Sequence, residues 1–469
     1  MLSKTITLLL LSFASTSALA AGGGMTDLNL MWAIPFMGIL LSIAVFPLVA
    51  PHFWHHHFGK IAAFWIALFL IPAIFSFGGG SVAGIVAHAL LAEYIPFIIL
   101  ISALYIISGG IYIKGNLHGT PKLNTTILTI GTLLASIMGT TGAAMLLIRP
   151  LLRANDNRKH KVHVVVFFIF LVANIGGSLT PLGDPPLFLG FLKGVPFAWT
   201  LEHLWMDTLL SAALLLPLFY AIDSYYFHRR EEELPAIMDP TPDSKYFSLD
   251  GGLNFLWLVG AIGFVLLSGL WKPGVSFDVL GTHVELQNIV RDVGLLSMAL
   301  LSWVTTNMSV RYENRFNFEP VFAVGKLFIA IFITIAPVIA MLQMGVDGPF
   351  ASLVHAVHDS SGAPIDARYF WATGILSGFL DNAPTYLVFF NLAGGDVVRL
   401  TTEYATTLAA ISAGSVFMGA LSYIGNAPNF MVKAISEQSG VKMPSFFGYM
   451  AWSFAILIPV LAIVSFVFF

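Results

Sequence analysis

Residues 177–186 run Gly-Ser-Leu-Thr-Pro-Leu-Gly-Asp-Pro-Pro, and residues 419–429 run Gly-Ala-Leu-Ser-Tyr-Ile-Gly-Asn-Ala-Pro-Asn. Each stretch interrupts an apolar segment, 163–195 and 402–437, that would otherwise read as a plain membrane span. A second interruption precedes each one. Gly139-Thr140-Thr141-Gly142-Ala143-Ala144 comes before the first, and Asp381-Asn382-Ala383-Pro384-Thr385 before the second. Setting Gly183 on Gly425 gives an offset of 242 residues, and the same offset sets Gly139 on Asp381 and Gly142 on Pro384. One offset serving both pairs marks an internal repeat. Breaking a helix in lipid exposes backbone N–H and C=O groups, which is tolerable only where they line a cavity or meet a partner. Matched Gly/Pro-broken segments in two halves point to the binding site of a secondary transporter.

The composition agrees. Of 469 residues, 57% are hydrophobic and 10% charged, against about 25% charged in a soluble chain, and the mean hydropathy is +0.84. This is the composition of an integral membrane protein. The absence of cysteine removes disulfides, thiolate metal sites, iron–sulfur clusters and cysteine nucleophiles. A net charge of −3 with few basic residues argues against nucleic-acid binding. No Walker-type Gly-Lys-Ser/Thr occurs, which disfavours direct ATP-driven transport.

Uninterrupted apolar runs long enough to cross about 30 Å of hydrocarbon fall at 30–50, 61–79, 83–113, 199–222, 253–271, 290–309, 320–345 and 445–469. Residues 1–20, ending Ala18-Leu19-Ala20, have the pattern of a signal peptide, so the mature N-terminus is expected outside the inner membrane. If 125–150 and 368–395 each enter and leave by one face, fifteen Lys and Arg fall on the cytoplasmic side and five outside. That bias sets the orientation. The expected organisation is a first transmembrane repeat over 30–222, a cytoplasmic linker over 223–252 and a second repeat over 253–469. The expected fold class is an all-α polytopic membrane protein with two inverted-topology repeats, each holding a re-entrant hairpin and a broken transmembrane helix.

The four motifs, in this order and over roughly 30–469, resemble those of the ion transporter superfamily. It includes NhaD-type sodium/proton antiporters, arsenite permeases, citrate transporters and divalent anion:sodium symporters. The resemblance implies hairpin tips at Thr140-Thr141-Gly142 and at Asp381 to Thr385, and broken-helix loops over Thr180 to Pro186 and Ile424 to Asn429, enclosing ions and substrate near mid-membrane. It also implies a homodimer in which a transport domain moves against a fixed scaffold. The chain departs from the dicarboxylate symporters, whose tips each carry Ser-Asn-Thr and whose broken helix tends to have Gly-Thr-Pro-Pro. Here one tip begins with Asp381 and the helix break holds Asp184. Both departures add an acid.

A carboxylate at mid-membrane is costly and is by default a functional candidate, with a cation or a proton as its partner. Asp184 and Asp381 are therefore the expected proton- and Na⁺-responsive residues. Asn382, Asn426, Thr141 and Thr385 are candidate neutral oxygen ligands, and the motifs add Thr140, Thr180, Gly183, Gly425 and Asn429. Both acids can alternatively cap the orphan amides of a broken helix, a role that Asp184 suits by preceding Pro185-Pro186. Glu93 and Lys326 are weaker candidates. His52, His55, His56 and His57 are expected in an interfacial loop with no acid nearby. The leading expectation is Na⁺/H⁺ antiport without a bound cofactor. Carriage of citrate or another small anion coupled to Na⁺ or H⁺ is the alternative. A membrane-embedded enzyme or a channel explains the repeated breaks less simply.

Overall fold

A computed structural model of the protein describes residues 28–230 and 247–469. The expected signal peptide and most of the expected linker lie outside the described residues. In the first half the principal helices are α1 (Ile34–Val49), α2 (Pro51–Phe77), α3 (Gly79–Ser108), α4 (Pro121–Met138), α5 (Thr140–Ala154), α6 (Val162–Leu171), α7 (Pro185–Leu192) and α8 (Trp199–Arg230). In the second they are α9 (Asn254–Leu270), α10 (Leu286–Thr305), α11 (Glu319–Thr334), α12 (Ala336–Gln343), α13 (Asp366–Phe379), α14 (Asn382–Leu392), α15 (Ala405–Met418), α16 (Ala427–Gln438) and α17 (Phe446–Phe468). The only sheets among the described residues are two-stranded antiparallel ribbons, Tyr112–Lys114 with Ser248–Asp250 and Ser276–Val279 with Thr282–Glu285. α8 runs on to Arg230, into the stretch read from the sequence as linker.

Among the described residues, five helical spans are long and apolar enough to cross a membrane, α1 with the turn before it (Leu30–Val49), α2, α3, α8 and α17, and α11 with α12, bent by 41°, makes a sixth. Phe75, Leu133, Val259, Leu300 and Val304 point outward from the helices that carry them. Such faces are covered at low cost by lipid rather than water. The protein is a multi-pass, helical membrane protein.

Local chemistry sets the central breaks. Thr120 caps α4 by accepting from the Leu123 amide, and Pro121 opens the helix, where a missing N–H costs nothing. α4 ends at Gly139, whose φ of +82° is open to glycine and strained for other residues, and α5 starts at the next residue. α13 and α14 meet around Leu380 and Asp381, both extended with negative φ. α6 gives way to a 3₁₀ turn, Ile175–Ser178, before Pro185-Pro186 opens α7. α15 likewise passes through Gly419–Leu421 before Ala427-Pro428 opens α16.

α7 packs against α14, and α16 against α5, so the helix after each break rests on a helix of the other half. Around this centre, α9 packs on α10, α10 on α3, α1 on α2 and α2 on α11. The base of the α4–α5 pair is held by a buried ion cluster. Asp223 on α8 meets Arg158 at 2.7 Å and His163 at 2.8 Å, and accepts from Asn124 at 2.9 Å. The second pair is held by neutral or singly charged contacts instead. Thr407 donates to Asp366 at 2.5 Å, and the Trp371 indole donates to Ser465 at 3.1 Å.

Candidate functional site

The 242-residue offset read from the sequence recurs in the contacts at the centre. The Thr140 amide donates to the Gly183 carbonyl at 2.8 Å, and the Asn382 amide to the Gly425 carbonyl at 3.2 Å. Thr180 Oγ1 donates to the Ser136 carbonyl and Ser422 Oγ to the Gly378 carbonyl, both at 2.5 Å. The Leu182 amide then donates to Thr180 Oγ1 (3.1 Å), as the Ile424 amide does to Ser422 Oγ (3.2 Å). A Cβ on Gly183 would strike the Gly177 carbonyl oxygen, and one on Gly425 the Gly419 carbonyl oxygen. These two glycines are therefore fixed by close backbone approach within each break.

Asp184 lies at the meeting point of both breaks. It stands at the N-terminal cap position of α7 but makes no side-chain bond to that helix. Its buried carboxylate instead accepts from Thr140 Oγ1 at 2.8 Å, from Asn426 Nδ2 at 3.0 Å and from Asn382 Nδ2. One donor comes from its own half and two from the other. Asp381 takes the capping role and accepts from the Ala383 amide at 3.1 Å. The two acids line one cavity of about 70 Å³ with Thr140, Thr141, Gly183 and Asn426, enough for a few waters or an ion with part of its shell. No Lys or Arg lines it among the described residues. Asn382 Oδ1 is buried and has no hydrogen-bond partner, which leaves a neutral oxygen beside the acids.

The remaining sequence candidates support the backbone. Thr180 is spent on the Ser136 carbonyl, and Thr385 Oγ1 donates to the Asp381 carbonyl at 2.9 Å. Asn429 Nδ2 donates to the Gly419 and Ser422 carbonyls at 2.8 and 2.9 Å, while its Oδ1 accepts from Asn174 at 2.7 Å. Asn174 also accepts from Asn426 at 3.2 Å and so joins the two halves.

Glu93 is buried and paired with Lys193, just past the end of α7. The Lys326 ammonium sits 5.4 Å from the Phe58 ring centre and lines a separate cavity beside His55 and His56. The four histidines lie on α2 rather than in a loop, because Pro51 opens that helix well before the apolar run begins. Glu319, distant in sequence, comes within 3.0 Å of His55, but both are exposed and no group of three or more potential metal ligands forms among the described residues. Sequence reading passed over Asp207, a buried acid on α8 with an unpartnered Oδ1. An acid inside the apolar run 199–222 was the available signal. The neighbouring Thr208 hydroxyl lies 2.5 Å from that of Ser178 in the first break.

Residues 25–469, including all of this machinery, match the family described as "Putative citrate transport". The chain belongs to that family. No curated protein matches the chain significantly. Membership of this citrate-transporter-like family makes the chain a membrane transporter of small ions or anions and agrees with the resemblance drawn from the four motifs.

Proposed function

We propose that the protein is a secondary active Na⁺/H⁺ antiporter of the inner membrane. Two inverted repeats, each with a re-entrant hairpin (α4–α5 and α13–α14) and a broken helix, give alternating access to one central site. The observation that carries this reading is the Asp184 carboxylate, ringed by neutral donors from both halves and sharing a cavity with Asp381, with no basic side chain lining it among the described residues. A carboxylate can hold either a proton or a metal ion, and this competition drives exchange. Asp184 and Asp381 are the exchanging groups, and Asn382 Oδ1 and Thr141 are neutral oxygen ligands for Na⁺. Thr140 and Asn426 hold Asp184 in place. The working unit is a homodimer whose transport domain moves against the outer helices.

A second reading has its own support. The family description names citrate, and the N-termini of α5, α7, α14 and α16 converge on the site, where helix dipoles favour an anion. In that version the acids bind the coupling cation. One experiment separates the two. In reconstituted vesicles carrying an imposed pH gradient, Na⁺ or Li⁺ alone should collapse the gradient. Citrate-dependent ion movement with no response to Na⁺ alone would overturn antiport and leave the second reading.

A further inference from the structure

A second cavity, of about 660 Å³, opens where Arg149 and Arg153 on α5 face Arg315, in the turn between the short helix Met308–Glu313 and α11. Among the described residues, Asp156 and Glu313 are the acids in its wall, against three arginines. Arg153 is committed, donating to the Tyr112 hydroxyl and the Ile113 carbonyl, both at 2.8 Å. Arg149 differs. Its Nη1 is buried without a hydrogen-bond partner, and Arg315 lines the same cavity. A buried, unpaired guanidinium donor facing a like charge is costly, and buried polar groups are nearly always satisfied. An oxyanion between the two would satisfy the donor and remove the repulsion, and arginine's planar fork suits carboxylate and phosphate oxygens.

We propose that Arg149 and Arg315 form a binding site for a multivalent oxyanion bearing phosphate or carboxylate groups, separate from the central ion site. An apolar plug divides the two cavities. Tyr105 lines the central one, its ring lies 5.1 Å from that of Phe316, and Phe316 lines the arginine cavity. Met145, between Gly142 and Arg149 along α5, packs in the same cluster. The bound anion ties α5 to the turn that carries Arg315 and thereby slows any movement of the α4–α5 pair against the outer helices. The inference holds whether the central site carries Na⁺ or an anion.

The test uses the full chain in nanodiscs of zwitterionic lipid, titrated with inorganic phosphate, with citrate as competitor. Saturable phosphate binding is expected, weakened by about tenfold or more in both Arg149→Gln and Arg315→Gln, as the loss of a charge-assisted bond to the anion requires. Arg315 is exposed on a loop, so that variant keeps the test open if Arg149→Gln fails to fold. Phosphate should slow wild-type exchange and leave Arg315→Gln unaffected. If anionic lipid in the disc abolishes phosphate binding to the wild type, a lipid headgroup is the natural occupant of the same site. Absence of saturable binding in the zwitterionic disc, or binding of equal strength in both variants, would overturn the proposal.

Discussion

The two halves share one backbone plan at the centre but carry their acids in different places. In the first half the helix break holds Asp184 and the tip, where α4 meets α5, is Gly139-Thr140. In the second, the break holds Asn426 and the tip is Asp381-Asn382. The amide-to-carbonyl bond onto each break and the hydroxyl-to-carbonyl bond from each break nevertheless match pair by pair. The repeat therefore conserves geometry while charge is distributed so that each half supplies one acid. Asp184 meets Asn426, the residue at its own place in the other half, and Asp381 stands where the first half has Gly139. Two acids at one symmetric position would repel strongly; this arrangement keeps both in one cavity with amide and hydroxyl donors between them.

The bases of the hairpins differ in the same spirit, with a buried charge cluster at Asp223 in the first half and Thr407–Asp366 with Trp371–Ser465 in the second.

Substitutions can break or sharpen this contrast. The largest effect is expected from Asp184→Asn or Asp381→Asn: Na⁺-driven collapse of a pH gradient should drop to the level of empty vesicles while size-exclusion profiles stay unchanged. Wild-type exchange in either variant would remove that acid from the mechanism. Asp223→Asn, which removes the buried carboxylate that meets Arg158 and His163, should cost about 3–5 kcal/mol of stability, read as a lowered thermal midpoint in detergent. Asn174→Leu removes the amide between Asn426 and Asn429 and leaves buried partners unpaired, at about 1–3 kcal/mol, with exchange reduced but measurable. Trp371→Phe, which loses one hydrogen bond at the base of the second hairpin, should cost only about 1 kcal/mol. A melting shift for Trp371→Phe as large as that of Asp223→Asn would contradict the assigned difference between the two bases.

Much of the centre was legible in the sequence because helix breaks in lipid demand Gly, Pro and polar residues that stand out from an apolar background. The offset from Gly183 to Gly425 located the repeated contacts, and the acids within the motifs marked the cavity. What stayed hidden required tertiary distance. Nothing local distinguishes Asn382, which reaches Asp184, from Asn429, which holds backbone carbonyls. Asp223 sat at the edge of a span and read as the start of a linker, yet the fold buries it against Arg158 and His163. Glu319 approaches His55 only because α11 packs on α2.

The central claim is that one carboxylate site holds either Na⁺ or a proton. It is tested most directly by calorimetric titration of the purified protein with Na⁺ in two buffers of different ionisation enthalpy. Wild type should release protons as Na⁺ binds, and Asp184→Asn and Asp381→Asn should lose that release. Na⁺ binding to the wild type without proton release, or release that persists in both variants, would contradict the account.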